Sequence, residues 1–267
     1  AGVMLGAVGA FDWNGTVVMQ AGNEFVVPKK NTFHNPSVQR YEGMAGYVGY
    51  DVQSAYTPNG VLYITGAPRF NHSGRVTVYR FDGENVTIVQ TLKGEQNFPP
   101  IRKWRGLFEH DMTLKPVNQT CCSGHSHNNC KIVSKNEPCG ARFGTAIAAV
   151  PDLNLDKFSD IVIGSPLEND HRGAVYIYHG SQKSIKENVF AAGGDGESMK
   201  FFGQSIHGIM DWNDDGIIDV TIGGIGGAAL YCCLKFGHEP KHPTIAGARP
   251  SGVTSLRYEP FLLDSEC

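Results

Sequence analysis

At 267 residues the chain is long enough to bury a substantial core, either as one large all-β unit or as two smaller domains. Its 33 glycines and 14 prolines, against a charged fraction of 18%, point to many tight turns between short strands rather than long solvated helices. A net charge of -3 and no basic run longer than Ile101-Arg102-Lys103-Trp104-Arg105 give no electrostatic reason to expect nucleic acid.

From the start of the chain, Ala1-Gly2-Val3-Met4-Leu5 lacks the basic opening of a signal peptide. No stretch reaches the ~18 apolar residues of a membrane-spanning helix, so any membrane attachment is expected outside these residues. The chain reads as entering mid-fold, as a fragment or mature segment. The first predicted element is a hairpin, Met4-Leu5-Gly6-Ala7-Val8 leading to Gly15-Thr16-Val17-Val18-Met19. A strand headed by Gly46-Tyr47-Val48-Gly49 follows, and then a second hairpin from Leu62-Tyr63-Ile64-Thr65-Gly66-Ala67-Pro68 to Gly74-Arg75-Val76-Thr77-Val78-Tyr79. Asn85-Val86-Thr87-Ile88-Val89 is its trailing strand. A third hairpin, Ile161-Val162-Ile163-Gly164-Ser165-Pro166 to Gly173-Ala174-Val175-Tyr176-Ile177-Tyr178, is preceded by Arg142-Phe143-Gly144-Thr145. The fourth pairs Val220-Thr221-Ile222-Gly223-Gly224 with Ala228-Ala229-Leu230-Tyr231, after Phe201-Phe202-Gly203-Gln204. One strand, a loop, a hairpin and a trailing strand make a four-stranded sheet, the blade of a β-propeller.

The turn glycines Gly6, Gly66, Gly164 and Gly223 stand 60, 98 and 59 residues apart. The middle interval fits neither one repeat nor two. Either a blade core is missing near residues 97–106, or one blade carries a Cys-rich insertion at about 118–139. In that insertion Cys121, Cys122, Cys130 and Cys139 have the spacing of looped disulfides; His125 and His127 between them permit zinc, but the adjacent Cys121-Cys122 lacks a zinc-finger spacing. The N-x-S/T sequons at Asn14, Asn71, Asn85 and Asn118 agree with a secreted, glycan-bearing chain. Cys232, Cys233 and Cys267 leave an odd thiol.

The sharpest chemical motif is Asp152-Leu153-Asn154-Leu155-Asp156-Lys157-Phe158-Ser159-Asp160, repeated as Asp211-Trp212-Asn213-Asp214-Asp215-Gly216-Ile217-Ile218-Asp219. Oxygen-bearing side chains at positions 1, 3, 5 and 9, with the carbonyl of Phe158 or Ile217 at position 7, suit a hard cation, and calcium is the expected cofactor. A strand follows each loop at once, which excludes an EF-hand. Lys157 stands where the second loop has Gly216, a position that disfavours a side chain if the backbone is left-handed. No G-x-S-x-G, P-loop or H-E-x-x-H motif supports catalysis, and Asp170-His171 is the one suggestive pair outside the loops. The expectation is a non-enzymatic binding module.

Phe143-Gly144, Gly164-Ser165-Pro166 and the two Asp loops resemble the FG-GAP repeats of integrin alpha subunits. Leu5 to Gly15, Gly66 to His72 and Phe202 to Gly208 look like the collagen-binding, inserted-domain subgroup, of the alpha-1 type. The likeness covers residues 1–96 and 107–231. It implies a seven-bladed propeller on the outer side of the plasma membrane, structural calcium, cell adhesion and pairing with an integrin beta subunit. The extracellular matrix ligand would be met only through a domain absent here. The resemblance also favours a deleted blade core over an insertion, hence an incomplete propeller across 1–231, and leaves 232–267 as a disordered tail foreign to the family. The alternative readings are a secreted FG-GAP binding module or a calcium-assisted hydrolase.

Overall fold

The computed structural model describes residues 2–33, 45–82, 85–93, 140–193, 199–212, 214, 216–234 and 256–262, and their regular structure is almost entirely strand. All four glycine-turn hairpins are present. In the first sheet β1 (Val3–Ala7), β2 (Thr16–Ala21) and β3 (Glu24–Val26) run antiparallel in sequence order. The second sheet is a full blade of β4 (Val52–Thr57), β5 (Gly60–Ala67), β6 (Arg75–Asp82) and β7 (Asn85–Lys93). The third repeats that order with β8 (Ile147–Val150), β9 (Asp160–Ser165), β10 (Ala174–Gly180) and β11 (Ile185–Gly193). The fourth comprises β12 (Lys200–Met210), β13 (Asp219–Ile225), β14 (Gly227–Leu234) and β15 (Leu256–Leu262).

That last strand departs from the expected disordered tail: β15 pairs parallel to β14, from Ala228↔Leu256 to Leu234↔Leu262. The physical reason is edge pairing. β14 would otherwise present a row of unpaired backbone donors and acceptors, and Leu256-Arg257-Tyr258-Glu259 alternates as a strand does. Without a turn glycine or a hairpin partner, this segment carries no blade signature in the sequence.

Apolar packing lies between sheets. Leu62, Ile64, Val76 and Val78 of the second blade form one cluster with Phe143, Ile147, Ile161, Ile163 and Tyr176 of the third. A second cluster joins Val150, Val162 and Val175 to Phe202, Ile217, Val220 and Ile222 of the fourth, and a third joins Val17 to Val48, Phe70 and Tyr79. β9 is buried along its whole length, which accounts for the unbroken Ile161-Val162-Ile163 run.

The glycine motifs are explained at the junctions. Parallel bridges link Gly15 to Val48, Gly74 to Phe143 and Gly173 to Phe202. Beside each bridge, the glycine of a Gly-Ala/Ser turn presses on the next blade's Phe-Gly or Val-Gly glycine. A Cβ on Gly6, Gly66 or Gly164 would collide with the carbonyl oxygen of Gly49, Gly144 or Gly203, respectively. Backbone meets backbone there, so only glycine fits. The junction between the second and third blades is built like the other two, even though residues 94–139 separate them in sequence. It gains one polar link, with Asp51 Oδ2 accepting from Ile147 N at 2.7 Å.

Candidate metal centre

The two nine-residue Asp loops occupy equivalent places, one joining β8 to β9 and the other β12 to β13. Their first carboxylates grip the amide of the sixth residue: Asp152 Oδ2 accepts from Lys157 N at 2.8 Å, and Asp211 Oδ2 from Gly216 N at 2.7 Å. Their last carboxylates reach back to the second residue. Asp160 Oδ2 accepts from Leu153 N at 2.6 Å and Asp219 Oδ2 from Trp212 N at 2.7 Å. Backbone twist repeats as well, with φ of 60° at Leu155 and 74° at Lys157, matched by 57° at Asp214 and 86° at Gly216. Sequences that share only their acids and asparagine therefore curl into one shape.

Within the first loop, Asp156 N donates to Asp152 Oδ1 at 2.9 Å, Phe158 N to Asp156 Oδ1 at 3.1 Å, and Asn154 Nδ2 to Asp156 Oδ2 at 3.2 Å. Asp160 is fully buried; its Oδ1 accepts from Gly180 N at 2.9 Å, and His179 Nδ1 lies 3.3 Å away. The donor set is carboxylate, amide and main-chain oxygen, which suits calcium or magnesium and not a thiophilic metal. Among the described residues no three His, Cys, Asp or Glu side chains converge on one point. Asn213 and Asp215 of the second loop lie outside the described residues, while Ile217 and Asp219 are buried.

Residues 143–178, from the Phe-Gly of the third blade to the end of its hairpin, match the FG-GAP repeat model. Over most of the chain the relatives are of one kind. Integrin alpha-11 of Homo sapiens is 34% identical over 86% of this chain and 21% of its own length. Integrin alpha-2 of Mus musculus is 34% identical over 84% and 21%, and integrin alpha-10 of Homo sapiens 31% over 89% and 22%. The chain carries an FG-GAP repeat and is similar, over most of its length, to integrin alpha subunits. It spans about a fifth of the length of the curated integrin alpha relatives it matches.

The other predicted sites are placed unevenly. Asn85 is exposed at the start of β7, and Asn71 is half-buried. Asn14 is half-buried as well, its Oδ1 accepting from Ala45 N at 2.9 Å. Asn118, the four cysteines Cys121, Cys122, Cys130 and Cys139, and His125 and His127 fall outside the described residues. Asp170 and His171 form an exposed pair at 3.7 Å with no third group joined to it by an ion pair among the described residues.

Sequence reasoning passed over two groups. The residues before the Val-Gly or Phe-Gly pairs, Tyr47, Arg142 and Phe201, are all left-handed, with φ of 63°, 63° and 55°. Their place in the motif was the available signal. Glu168 is also buried, with Tyr176 Oη donating to its Oε1 at 2.5 Å. Burial pushes its carboxyl above the usual range, against the lowering effect of the bonds to Tyr176 and Ser165.

Proposed function

We propose that this chain is an integrin alpha segment, a calcium-clipped part of the propeller of a cell-surface adhesion receptor. It would work through pairing with a beta subunit and not by catalysis. The observation that carries the calcium reading is the shared geometry of the two Asp loops, with equivalent carboxylates on equivalent amides at the same place in successive blades. Asp152, Asn154, Asp156, Asp160 and the Phe158 carbonyl would hold one ion. Asp211, Asn213, Asp215, Asp219 and the Ile217 carbonyl would hold the other. Each carboxylate oxygen has lone pairs for both an amide and a cation. Three negative charges on one tight turn repel one another, and a bound calcium neutralises them and stiffens the hairpin that follows.

Adhesion and beta-subunit pairing are supported by the likeness to integrins alpha-11, alpha-2 and alpha-10, as is the collagen-binding subgroup. The ligand of the matrix would be met by a domain outside these residues, and these blades would serve as scaffold on the outer side of the plasma membrane. No helix among the described residues is long and apolar enough to cross a membrane.

The test is a thermal melt of the secreted chain with calcium and with chelator, beside an Asp156→Ala, Asp215→Ala double variant. Calcium at about a hundred times its dissociation constant should stabilise by roughly 2.7 kcal/mol per site, and the double variant should lose that gain. An unchanged midpoint on chelation would remove the clip. Co-expression with integrin beta subunits and capture of the complex tests the pairing.

A further inference from the structure

The first and fourth sheets leave two unlike faces uncovered. On the first sheet, the face turned away from the second blade carries Val3 and Leu5 of β1, with Val18 and Phe25 beside them by register. Met4 and Val17, on the opposite face, pack in the cluster shared with the second blade. Leu5 is 49% exposed, Val3 55% and Phe25 61%. Counted back from the turn glycines Gly6 and Gly164, Leu5 and Val3 hold the places of Ile163 and Ile161, which are wholly buried against the second blade. In the third blade the same positions are covered.

On the fourth sheet, Val220 and Ile222 of β13 pack toward the third blade, so Thr221, Gly223 and Ile225 line the far face. Ile225 is 58% exposed and Ile209 of β12 63%. Gly223 corresponds to the turn glycines Gly6, Gly66 and Gly164. A Cβ on any of those three would strike the next blade's carbonyl oxygen, whereas on Gly223 its nearest neighbours would be atoms of Ser205, in its own sheet. Among the described residues no further sheet lies against either face.

Inside the array these two kinds of face meet each other, and each bridge adds a blade in the same sense. The complement of each uncovered face is therefore carried by the chain itself. We propose that two copies join head to tail, the first-sheet face of each covering the fourth-sheet face of the other, to close one ring of blades. Four sheets in each copy make eight, within the ~4 to 8 blades that propellers use. A head-to-tail joint that closes leaves neither face open, whereas an open string of copies leaves one at each end. The first sheet has no described strand ahead of β1, so this joint lacks the glycine-to-carbonyl contact and rests on side chains. It is weaker than an internal junction, and it forms and parts with concentration. The proposal is independent of the calcium reading.

The test is sedimentation velocity of the full chain, with calcium present throughout, from about 1 to 100 μM, the range of a weak joint. Monomer should give way to dimer and to nothing larger. Leu5→Asp and Ile225→Asp, each placing a charge in the joint, should separately raise the dimer dissociation constant about tenfold or more while the melting midpoint stays in place. An equimolar mixture of the two variants should dimerise better than either alone, because one of the two joints in a mixed ring then has both faces unaltered. Pairing of like faces gives no such rescue. Should Leu5→Asp lose its melting transition, Phe25→Ser, at a more exposed position of the same face, makes the same test. A monomer at every concentration, growth beyond the dimer, an Ile225→Asp chain that dimerises like the unaltered one, or a mixture no better than its components would overturn the assignment.

Discussion

Lys157 holds a left-handed backbone that its Cβ opposes, at the place where the second Asp loop has Gly216. Lys157→Gly is therefore expected to stabilise the chain by about 0.5–1 kcal/mol, the relief of that strain less the entropy of a freer unfolded chain. Removing a positive charge from the loop should also tighten the proposed hold on calcium. A urea titration with and without calcium checks both. Glu168 gives a pH signature. Its carboxyl is raised in the fold by burial, so the stability it contributes is complete at pH below the unfolded carboxylate value and is lost as pH climbs through the raised one. Melting temperatures should decline over that interval, and Glu168→Gln, which keeps an acceptor for Tyr176 Oη, should flatten the decline. A profile from pH 4 to 8 that is unaltered by the substitution would count against this account.

Hairpins were the most legible elements, because a turn glycine between two alternating strands fixes both the fold and its register. Gly66 shows why the motif demands glycine, and a pair of substitutions separates the two causes. Gly66→Ala drives a methyl into the Gly144 carbonyl and is expected to cost about 3 kcal/mol. Gly22→Ala, at φ 64° with open space around its Cβ, should cost about 1 kcal/mol from backbone strain alone. Equal losses in denaturant midpoint would show that crowding at the junction is unimportant. The Asp loops were legible as candidates for the same reason as the hairpins, since composition and position recur together. The amide contacts within each loop were not, because they depend on φ at Leu155, Lys157, Asp214 and Gly216, and Leu155 and Lys157 carry side chains that disfavour a left-handed backbone.

For the whole molecule, each apolar cluster belongs to two blades at once, so no described blade buries its core alone. A protease site inserted between residues 94 and 139 and then cut should leave the two fragments together on gel filtration, held by the Leu62, Ile64, Phe143 and Ile163 cluster and the Asp51 to Ile147 link. Separation of the fragments without denaturant would contradict that. Spacing between turn glycines signalled an irregular interval, but whether two blades would adjoin across it is a matter of packing that no local pattern encodes. The joint they form is written in main-chain atoms: a glycine against a carbonyl oxygen, and a bridge beside it. A coupling of that kind is indifferent to which neighbour supplies it. Blade number is then a quantity that can change by loss or gain of a whole repeat, as when a coding segment is skipped, without any new complementary surface having to arise.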